Sequence, residues 1–458
     1  MGALRVLIAG GGIAAAEALL ALDDLAGERV RVELIAPGNR FVYRPHLVAE
    51  PFSLGAAARI ELSRLADQHH AHSRRDSLAS VDPGSRSIRT TGGATLEYDA
   101  LLIATGARPV TAVDGALTFG GRPGRQGFRA LLGELEAAAR GRLVFAVPTE
   151  VRWSLPAYEL ALLTAAHLGA RGVTGIEILL ATHEARPLEL LGESAPEVVG
   201  ELLTEAGIEL RTESAPLRFE AGRLELRGGG DLVSDHVVAM PALEVPEIDG
   251  IPQRTGGFIP TDVRLNVEGL TDVWAAGDAT WFPIKQGGLA AQQADVAAET
   301  IAARAGGPVA SSTFRPVLRA ALLTGALPRY FRSALFAGYA DVTSPGALWS
   351  PPTKLAGRYL GPFLSAAAHL GHGEGEFVDL EPPAAAELVA DPNQQRYELD
   401  FALAAADADA GQGDYEGALD WLHLVEELAL VLPPEYLERR DMWRRKRTTP
   451  KSSSGRER

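Results

Sequence analysis

The sequence predicts an α/β fold in which two doubly wound domains are interleaved along the chain. A unit of strand, glycine turn, helix and strand opens the chain, over Arg5–Ala9, Ile13–Leu22 and Val30–Ile35. A second unit of the same order covers Leu143–Val147, Leu155–Leu168 and Gly175–Ala181. A buried strand and an alanine-rich helix then follow within residues 258–303. The chain is therefore expected to return to its first domain after completing the second.

The predicted domain boundaries follow from these units and from changes in composition. The first domain is expected over 1–135 and 251–310, and the second over 136–250. A C-terminal interface region (311–383) and a helical hairpin (384–438) follow, and we predict the hairpin to be a cap on the main body rather than a partner-docking module. Residues 439–458 carry nine Lys and Arg against two Asp and Glu, which predicts a disordered basic tail.

Composition excludes several classes of function. The chain has no cysteine, which rules out iron–sulfur clusters, thiolate zinc sites and thiol redox cycles. Its net charge of −15 argues against a nucleic-acid partner. We find neither an apolar run of the roughly 20 residues that span a bilayer nor an export signal, so the expected location is cytoplasmic. His69, His70 and His72 lack ligand spacing, and no metal site is predicted.

The turn after the first strand predicts a dinucleotide site of the Rossmann-like kind. It reads Gly10-Gly11-Gly12-Ile13-Ala14-Ala15 and opens directly into a helix. Gly10 permits the tight turn, Gly12 lets a pyrophosphate approach the backbone, and Ala15 lets the helix pack closely on the strand. The next strand ends without the acid that usually holds the adenosine ribose, so backbone groups, Asn39 or Arg40 would have to serve.

Two further strand ends identify a cofactor class. One strand ends in Ala104-Thr105-Gly106, and a buried strand, Val273–Ala276, ends in Gly277-Asp278. With the first motif, these resemble the two-dinucleotide-binding-domain flavoproteins of the FAD-dependent pyridine nucleotide-disulfide oxidoreductase superfamily. The resemblance covers residues 1–305. It implies non-covalent FAD, with the Ala104-Thr105-Gly106 turn against the cofactor and Asp278 hydrogen-bonded to its ribityl chain.

Within this superfamily the sequence is most similar to the branch of sulfide:quinone oxidoreductases and type II NADH dehydrogenases. The resemblance implies that the loop containing Arg44 and Pro45 runs beside the isoalloxazine. The segment from Lys285 resembles the start of a helix aimed at the flavin pyrimidine, whose Leu289 and Ala290 amides would stabilise negative charge there.

Two side chains are candidates for catalysis. Lys285 would add positive charge at the flavin or hold an anionic acceptor, unless it is a lysine that faces solvent. Glu159 lies where type II NADH dehydrogenases carry a glutamate near the flavin. In a dry pocket its pKa would be raised and it could pass protons to a reduced quinone. The alternative is an ordinary ion pair on a helix face.

The departures from the branch narrow the function. Without cysteine, neither disulfide reduction nor cysteine-dependent sulfide oxidation is expected. The turn of the second unit has Pro148, Trp153 and Pro156 in place of glycines, which remove amide donors or fill space. Its second strand ends Leu180–His183 with no ribose-binding acid at the usual place. Ordinary NAD(P)H binding is therefore uncertain and is not the leading expectation.

The predicted function is an FAD-dependent oxidoreductase that passes two electrons to a quinone-like or other small acceptor from an unnamed small donor. One alternative is an NAD(P)H dehydrogenase with an atypical nicotinamide site. Another is a non-catalytic flavin-binding redox sensor or interaction protein. Any membrane contact is expected to be peripheral, through the aromatic segment around Trp349 and Tyr359 and through the basic tail.

Overall fold

The computed structural model describes residues 2–334, 341–367, 378–379 and 432–447, and single positions between 399 and 425. The chain divides into two compact bodies, the main body and the C-terminal body. The main body contains Met1–Phe314, Leu318–Arg332 and Val342–Pro382, and the C-terminal body contains Arg315–Val317, Ser333–Asp341 and Pro383–Arg458. All of the predicted site residues belong to the main body.

The described strands are, in chain order, Leu4–Ala9 (β1), Val30–Ala36 (β2), Arg40–Val42 (β3), Arg59–Glu61 (β4), His72–Arg75 (β5), Leu78–Asp82 (β6), Ser87–Thr90 (β7), Thr95–Glu97 (β8), Ala100–Ile103 (β9), Arg108–Val110 (β10), Leu117–Thr118 (β11), Arg140–Val147 (β12), Gly175–Thr182 (β13), Ile208–Arg211 (β14), Pro216–Glu220 (β15), Arg223–Leu226 (β16), Asp231–Val233 (β17), His236–Ala239 (β18), Ala242–Glu244 (β19), Val273–Ala275 (β20), Val317–Leu322 (β21), Arg329–Ala334 (β22), Val342–Ser344 (β23), Trp349–Ser350 (β24) and Val378–Asp379 (β25). The described α-helices are Ile13–Ala26 (α1), Leu62–Gln68 (α2), Gly121–Ala138 (α3), Leu155–Ala170 (α4), Ala195–Glu205 (α5), Gly287–Arg304 (α6), Leu360–Ala367 (α7) and Pro434–Arg447 (α8).

Two five-stranded sheets form the framework of the main body, and every neighbouring pair of strands within them is parallel. The first has the order β20-β9-β1-β2-β5, and the second has the order β11-β18-β12-β13-β14. β20 follows the whole second sheet in sequence but pairs with β9 of the first. The predicted interleaving of two Rossmann-like domains is therefore confirmed.

The central strands of the first sheet are buried under the helices α1 and α6. β1 buries four consecutive residues, from Val6 to Ala9, as expected for a strand with helices on both faces. The small residues of α1 and α6 let these two helices pack side by side over the first sheet. Because both helices begin at the carboxyl ends of the strands, their N-termini meet at the edge of the sheet where doubly wound folds bind ligands.

The C-terminal predictions are tested only in part. The helical hairpin predicted at 384–438 falls mostly outside the described residues. The prediction of disorder from residue 439 is wrong as far as Arg447, because α8 continues through that position. Within the C-terminal body, Asp407 pairs with Arg439 at 2.5 Å and accepts a hydrogen bond from Tyr436 at 2.6 Å, and Trp443 is buried. No helix in the described ranges is long and apolar enough to cross a membrane.

Candidate functional site

The turn between β1 and α1 is built around a close approach of two chain segments. Gly10 has φ +150°, and a Cβ at this position would lie 1.9 Å from the carbonyl oxygen of Ala104. The approach is fixed by hydrogen bonds from the Gly10 amide to the Ile35 carbonyl (2.8 Å) and from the Ala104 amide to the Ala9 carbonyl (2.8 Å). The first glycine motif and the Ala104-Thr105-Gly106 turn therefore lie side by side.

The N-terminus of α1 is open to a ligand. Gly12 is the N-cap residue, no side chain caps the helix, and its first turn carries no acidic residue. A Cβ built on Gly12 would meet nothing within 4 Å, and the same is true at Gly106. Ala15 is fully buried and lets the helix lie close to the sheet. The first amides of α1, which a helix cannot satisfy internally, therefore face free space at its positive end.

Asp278 lies beside this opening. It follows β20 in a short 3-10 turn, Gly277–Ala279, whose first residue packs against Ala14 of α1. The Gly277 amide donates to Gln293 Oε1 at 2.7 Å, which fixes the turn on α6. The Asp278 side chain is half-buried, and none of the described residues donates a hydrogen bond to it. A carboxylate held in this way is available to hydroxyl groups of a ligand.

Four segments converge at the start of α6. A Cβ on Gly287 would lie 2.9 Å from Ile13 Cδ1, 3.0 Å from Leu355 Cδ1 and 3.8 Å from Pro45 Cγ. The start of α1, the loop at Pro45, the start of α6 and the segment at residue 355 therefore share one place. Arg44 precedes Pro45 in a short 3-10 turn and is exposed.

The amides predicted to face the flavin are already occupied. The Leu289 amide donates to Gln286 Oε1 at 2.8 Å, and the Ala290 amide donates to the Gln286 carbonyl at 2.9 Å. Gln286 caps α6 with its own side chain, whose Nε2 donates to the Arg319 carbonyl at 2.8 Å. The cap therefore satisfies the Leu289 donor and the ordinary helix hydrogen bond satisfies the Ala290 donor, and their role at the flavin stays a prediction.

Lys285 does not face solvent, since only 8% of its surface is exposed. Its Nζ donates to the Thr280 carbonyl and lies 4.1 Å from the centre of the Phe258 ring. Burial lowers the pKa of Lys285 to about 7, against an opposing effect of the Asp278 carboxylate, while Arg152 lowers it further. The side chain therefore titrates near neutral pH, next to the acid that borders the opening.

Glu159 lies fully buried on α4 and forms the ion pair of one of the two interpretations that the sequence left open, but inside the protein and not on an exposed helix face. Its Oε2 accepts a hydrogen bond from Lys354 Nζ at 2.6 Å, and its Oε1 accepts one from the Leu323 amide at 3.0 Å. Burial raises the pKa of Glu159 despite the ion pair, and burial lowers the pKa of Lys354. Both shifts disfavour the charged forms, so burial reduces the difference between the two pKa values.

The Lys354 ammonium also acts on the loop that contains Pro45. His46 in that loop has a lowered pKa, first because it is buried and second because of the charge on Lys354. The His46 ring packs edge-on against Tyr43 at 4.8 Å. Since Leu355 follows Lys354 and touches the start of α6, the Glu159–Lys354 pair borders the place where the four segments converge.

In the second strand–helix–strand unit (β12, α4 and β13), a carboxylate of the protein lies beside the N-terminus of the helix. Glu184 lies two residues beyond β13 and is 7% exposed. Its Oε1 accepts a hydrogen bond from Ser154 Oγ at 2.7 Å, and its Oε2 accepts from Tyr158 (2.7 Å) and from Thr182 (2.8 Å). Ser154 is the N-cap residue of α4 and Tyr158 lies in its first turns. An internal carboxylate therefore lies beside the end of α4, where a bound dinucleotide would place its phosphates.

The turn before α4 and the first residues of this helix also differ from an open phosphate site. Pro156 follows Leu155 at the start of the helix, so one of the first amides is missing. The Arg152 carbonyl accepts a hydrogen bond from the Lys285 amide at 3.4 Å, which joins this turn to the segment before α6. Trp153 is half-buried.

The residues of the first unit fit FAD. The open, uncapped α1 supplies amide donors for a pyrophosphate, and Asp278 supplies an acceptor without a protein partner for the ribityl hydroxyls. Among the described residues, no group of His, Asp and Glu could hold a metal ion.

Residues 4–138 match the family model described as Pyridine nucleotide-disulphide oxidoreductase. A curated relative, an NADH dehydrogenase-like protein of Mycobacterium tuberculosis strain CDC 1551 / Oshkosh, is 27% identical over 292 residues, which are 60% of this chain and 72% of that protein.

Solved structures show the same fold. The sulfide:quinone oxidoreductase of the hyperthermophilic bacterium Aquifex aeolicus matches with a TM-score of 0.67 and 20% identity, over 75% of this chain and 87% of that one. NDH2 from Plasmodium falciparum in complex with NADH matches with a TM-score of 0.60 and 12% identity, over 80% of this chain and 94% of that one. These findings support the predicted resemblance to the FAD-dependent pyridine nucleotide-disulphide oxidoreductase superfamily.

Three side chains of the site were not found from the sequence. Lys354 and Glu184 act through partners distant in the chain, at Glu159 and at Ser154. Gln286 was read only as part of the helix start, although a glutamine at an N-cap can bond the amide three residues on. The acid after the strand, in Thr182-His183-Glu184, was the one signal that the sequence offered.

Proposed function

We propose that this chain is an FAD-dependent oxidoreductase that delivers two electrons and a proton to a quinone-like or similar small organic acceptor. The observation that carries the proposal is the buried Glu159–Lys354 pair, whose lysine directly precedes Leu355, and Leu355 lies with Ile13 and Pro45 at Gly287. FAD, when bound, supplies the two-electron chemistry, and the protein supplies position and electrostatics. Reduction of a quinone also consumes protons, which a buried carboxyl–amine pair is suited to deliver.

The cofactor-binding roles remain those expected from the resemblance, with one change. Gly10, Gly12 and Ala15 would admit the pyrophosphate, and Asp278 would hold the ribityl chain next to Gly277. Ala104, Thr105 and Gly106 would line the cofactor, and Arg44 and Pro45 would border the isoalloxazine. Charge at the pyrimidine would be stabilised by the positive end of α6 and by Lys285, rather than by the amides of Leu289 and Ala290.

The proton route would run through Lys354 and Glu159. Lys354 lies beside Leu355, which borders the convergence, and Glu159 can replace its proton because the two side chains are 2.6 Å apart. The low polarity of the site holds the pKa values of both groups away from their usual ranges. Burial would therefore favour proton transfer from Lys354 to Glu159 more than water would for the same two groups.

The test uses two acceptors with the photoreduced protein. Glu159→Gln keeps the shape of the side chain but removes its acid function. Reoxidation by a water-soluble quinone should slow by about 10²-fold, the usual contribution of general acid catalysis. Ferricyanide accepts electrons without protons, and its rate should hardly change. Glu97→Gln, at an exposed strand, is the matched control. Equal losses with both acceptors, or no loss with quinone, would refute the proton role.

We also propose that the second unit does not bind NAD(P)H in the standard way. Glu184 supplies a negative charge beside α4, and dinucleotide phosphates would have to replace it. The alternative, an NAD(P)H dehydrogenase with an atypical site, is favoured by the names of the Mycobacterium relative and of the matching family. Because the chain has no thiol, the proposed reaction uses neither a disulfide nor a cysteine persulfide.

Peripheral membrane contact, if it forms, would use α8 rather than the aromatic segment. Trp349 is fully buried against Tyr330, with ring centres 5.3 Å apart, and cannot reach a bilayer. On α8, Leu437 and Met442 are 40% and 42% exposed among basic residues. Flotation with anionic liposomes should weaken with salt and on removal of residues 439–458. Unchanged flotation after both treatments would leave the tail without this role.

A further inference from the structure

A second buried acid pair lies between α1 and α6, apart from the Glu159–Lys354 pair. Glu17 on α1 is fully buried, and its carboxyl group is hydrogen-bonded to that of Asp295 on α6. Ionised carboxylates only accept hydrogen bonds, so two of them can bond each other only when one carries a proton. Asp295 Oδ1 is buried and has no hydrogen-bond partner among the described residues, which is costly for an anion but not for a neutral acid.

The same Glu17 holds a distant segment of the chain. Its Oε1 accepts a hydrogen bond from the Tyr359 amide and its Oε2 accepts one from the Leu360 amide, each at 2.8 Å. Gly357 approaches it so closely that a Cβ there would lie 2.6 Å from Glu17 Oε2. Glu17 therefore acts as an ionised cap for the first amides of α7, and Asp295 is the partner that keeps the proton.

We call residues Lys354–Leu360 the strap. One end of the strap is fixed to the first nucleotide-binding unit by Glu17, and the other end is fixed to the second unit by the bond from Lys354 to Glu159. Between these ends, Leu355 touches the start of α6. Displacing the Glu17 end would therefore disturb the position of Lys354.

We propose that Glu17 and Asp295 share one proton, and that this pair of one acid and one anion positions the strap and with it Lys354. The charged groups that act on the pair are Arg358 on the strap, which favours ionisation, and Glu299 on α6, which opposes it. Arg358 Nη1 lies 3.4 Å from Glu299 Oε1, so the guanidinium acts on both Glu299 and Asp295. Loss of the shared proton would place two anions in contact and loosen the strap.

The sign of the pH dependence follows from burial. Burial and the neighbouring Glu17 raise the pKa of Asp295 well above its usual range, while Asp295 in the unfolded chain ionises at its ordinary pKa. Between these two pKa values the folded protein holds one more proton than the unfolded chain. Stability should therefore fall as pH rises through this window.

The first test looks for the proton. Because Glu159 is a second buried carboxyl group with a raised pKa, the test is made in Glu159→Gln. In the infrared spectrum at neutral pH, this protein should show the carbonyl band of a buried protonated carboxylic acid, and the further change Asp295→Asn should remove it. Asp67→Asn, at an exposed position of α2, should leave the band intact. No such band in Glu159→Gln, or a band that survives the further change Asp295→Asn, would overturn the proposal. This readout requires no turnover, so it stands or fails separately from the proposed function.

The second test measures position and stability. Asn mimics the neutral acid, so the melting temperature of Asp295→Asn should rise relative to wild type by about 1–2 °C per pH unit in the window. Under the function proposed above, the alkaline loss of quinone reduction should move in this variant, while ferricyanide reduction should not. Glu17→Gln loses an anionic cap and should lose quinone reduction at all pH values. Melting curves of Asp295→Asn and wild type that stay parallel in pH would refute the shared proton.

Discussion

The two nucleotide-binding units share the succession of strand, turn, helix and strand, but their helices end in different surroundings. At α1, Gly12 faces free space and no side chain caps the helix. At α4, Glu184 and three hydroxyl groups fill the corresponding region. A helix N-terminus attracts an anion in both cases, and the anion is either a ligand or part of the protein. The comparison supports the proposal that one fold keeps one cofactor site and closes the other.

The largest effect is expected where the first site is filled. Gly12→Val would place a branched side chain in the open space at α1, and we expect complete loss of FAD. Asp278→Ala should release FAD as well, because it removes the acceptor beside the opening. The bound flavin is measured by absorbance after gel filtration. A variant of either kind that purifies yellow, with one FAD per chain, would contradict the assignment of the first site.

Glu184→Ala should reduce stability by about 3 kcal/mol, because it leaves three buried hydroxyl groups without their acceptor. Glu201→Ala, at an exposed position of α5, is the control and should change stability by no more than about 0.5 kcal/mol. Urea unfolding of the FAD-loaded proteins measures both. If Glu184→Ala is as stable as the control, the second unit is not held by this carboxylate, and the contrast with α1 weakens.

A smaller effect is expected at Lys285, whose pKa burial lowers to about 7. Between this value and the ordinary 10.5, the unfolded chain binds one proton more than the folded protein, so stability should rise with pH. Lys285→Met should remove up to about 1.4 kcal/mol of this rise per pH unit. Lys446→Met, at an exposed site, should leave the rise unchanged. A wild-type slope retained in Lys285→Met would mean that another group titrates.

The sequence predicted what depends on local chemistry. Gly10, Gly12 and Ala15 act through the backbone of their own turn, and the interleaved fold followed from the two strand–helix–strand units. The sequence could not predict the contacts that join distant segments, such as Lys354 with Glu159. It also could not predict that the Leu289 amide, expected to face the flavin, donates to the Gln286 side chain. Disorder was wrongly predicted for 439–447, since Asp407 and the burial of Trp443 stabilise a helix that the charge pattern opposes.

The central claim is that the first unit holds FAD while the second does not accept a nicotinamide dinucleotide in the usual way. The most direct test mixes the FAD-loaded protein anaerobically with NADH or NADPH and follows the flavin absorbance. We expect either no reduction or a rate that is still far from saturation at about 1 mM, the upper end of usual Michaelis constants. Saturable reduction at micromolar NADH or NADPH would contradict the claim and would make this chain an NAD(P)H dehydrogenase.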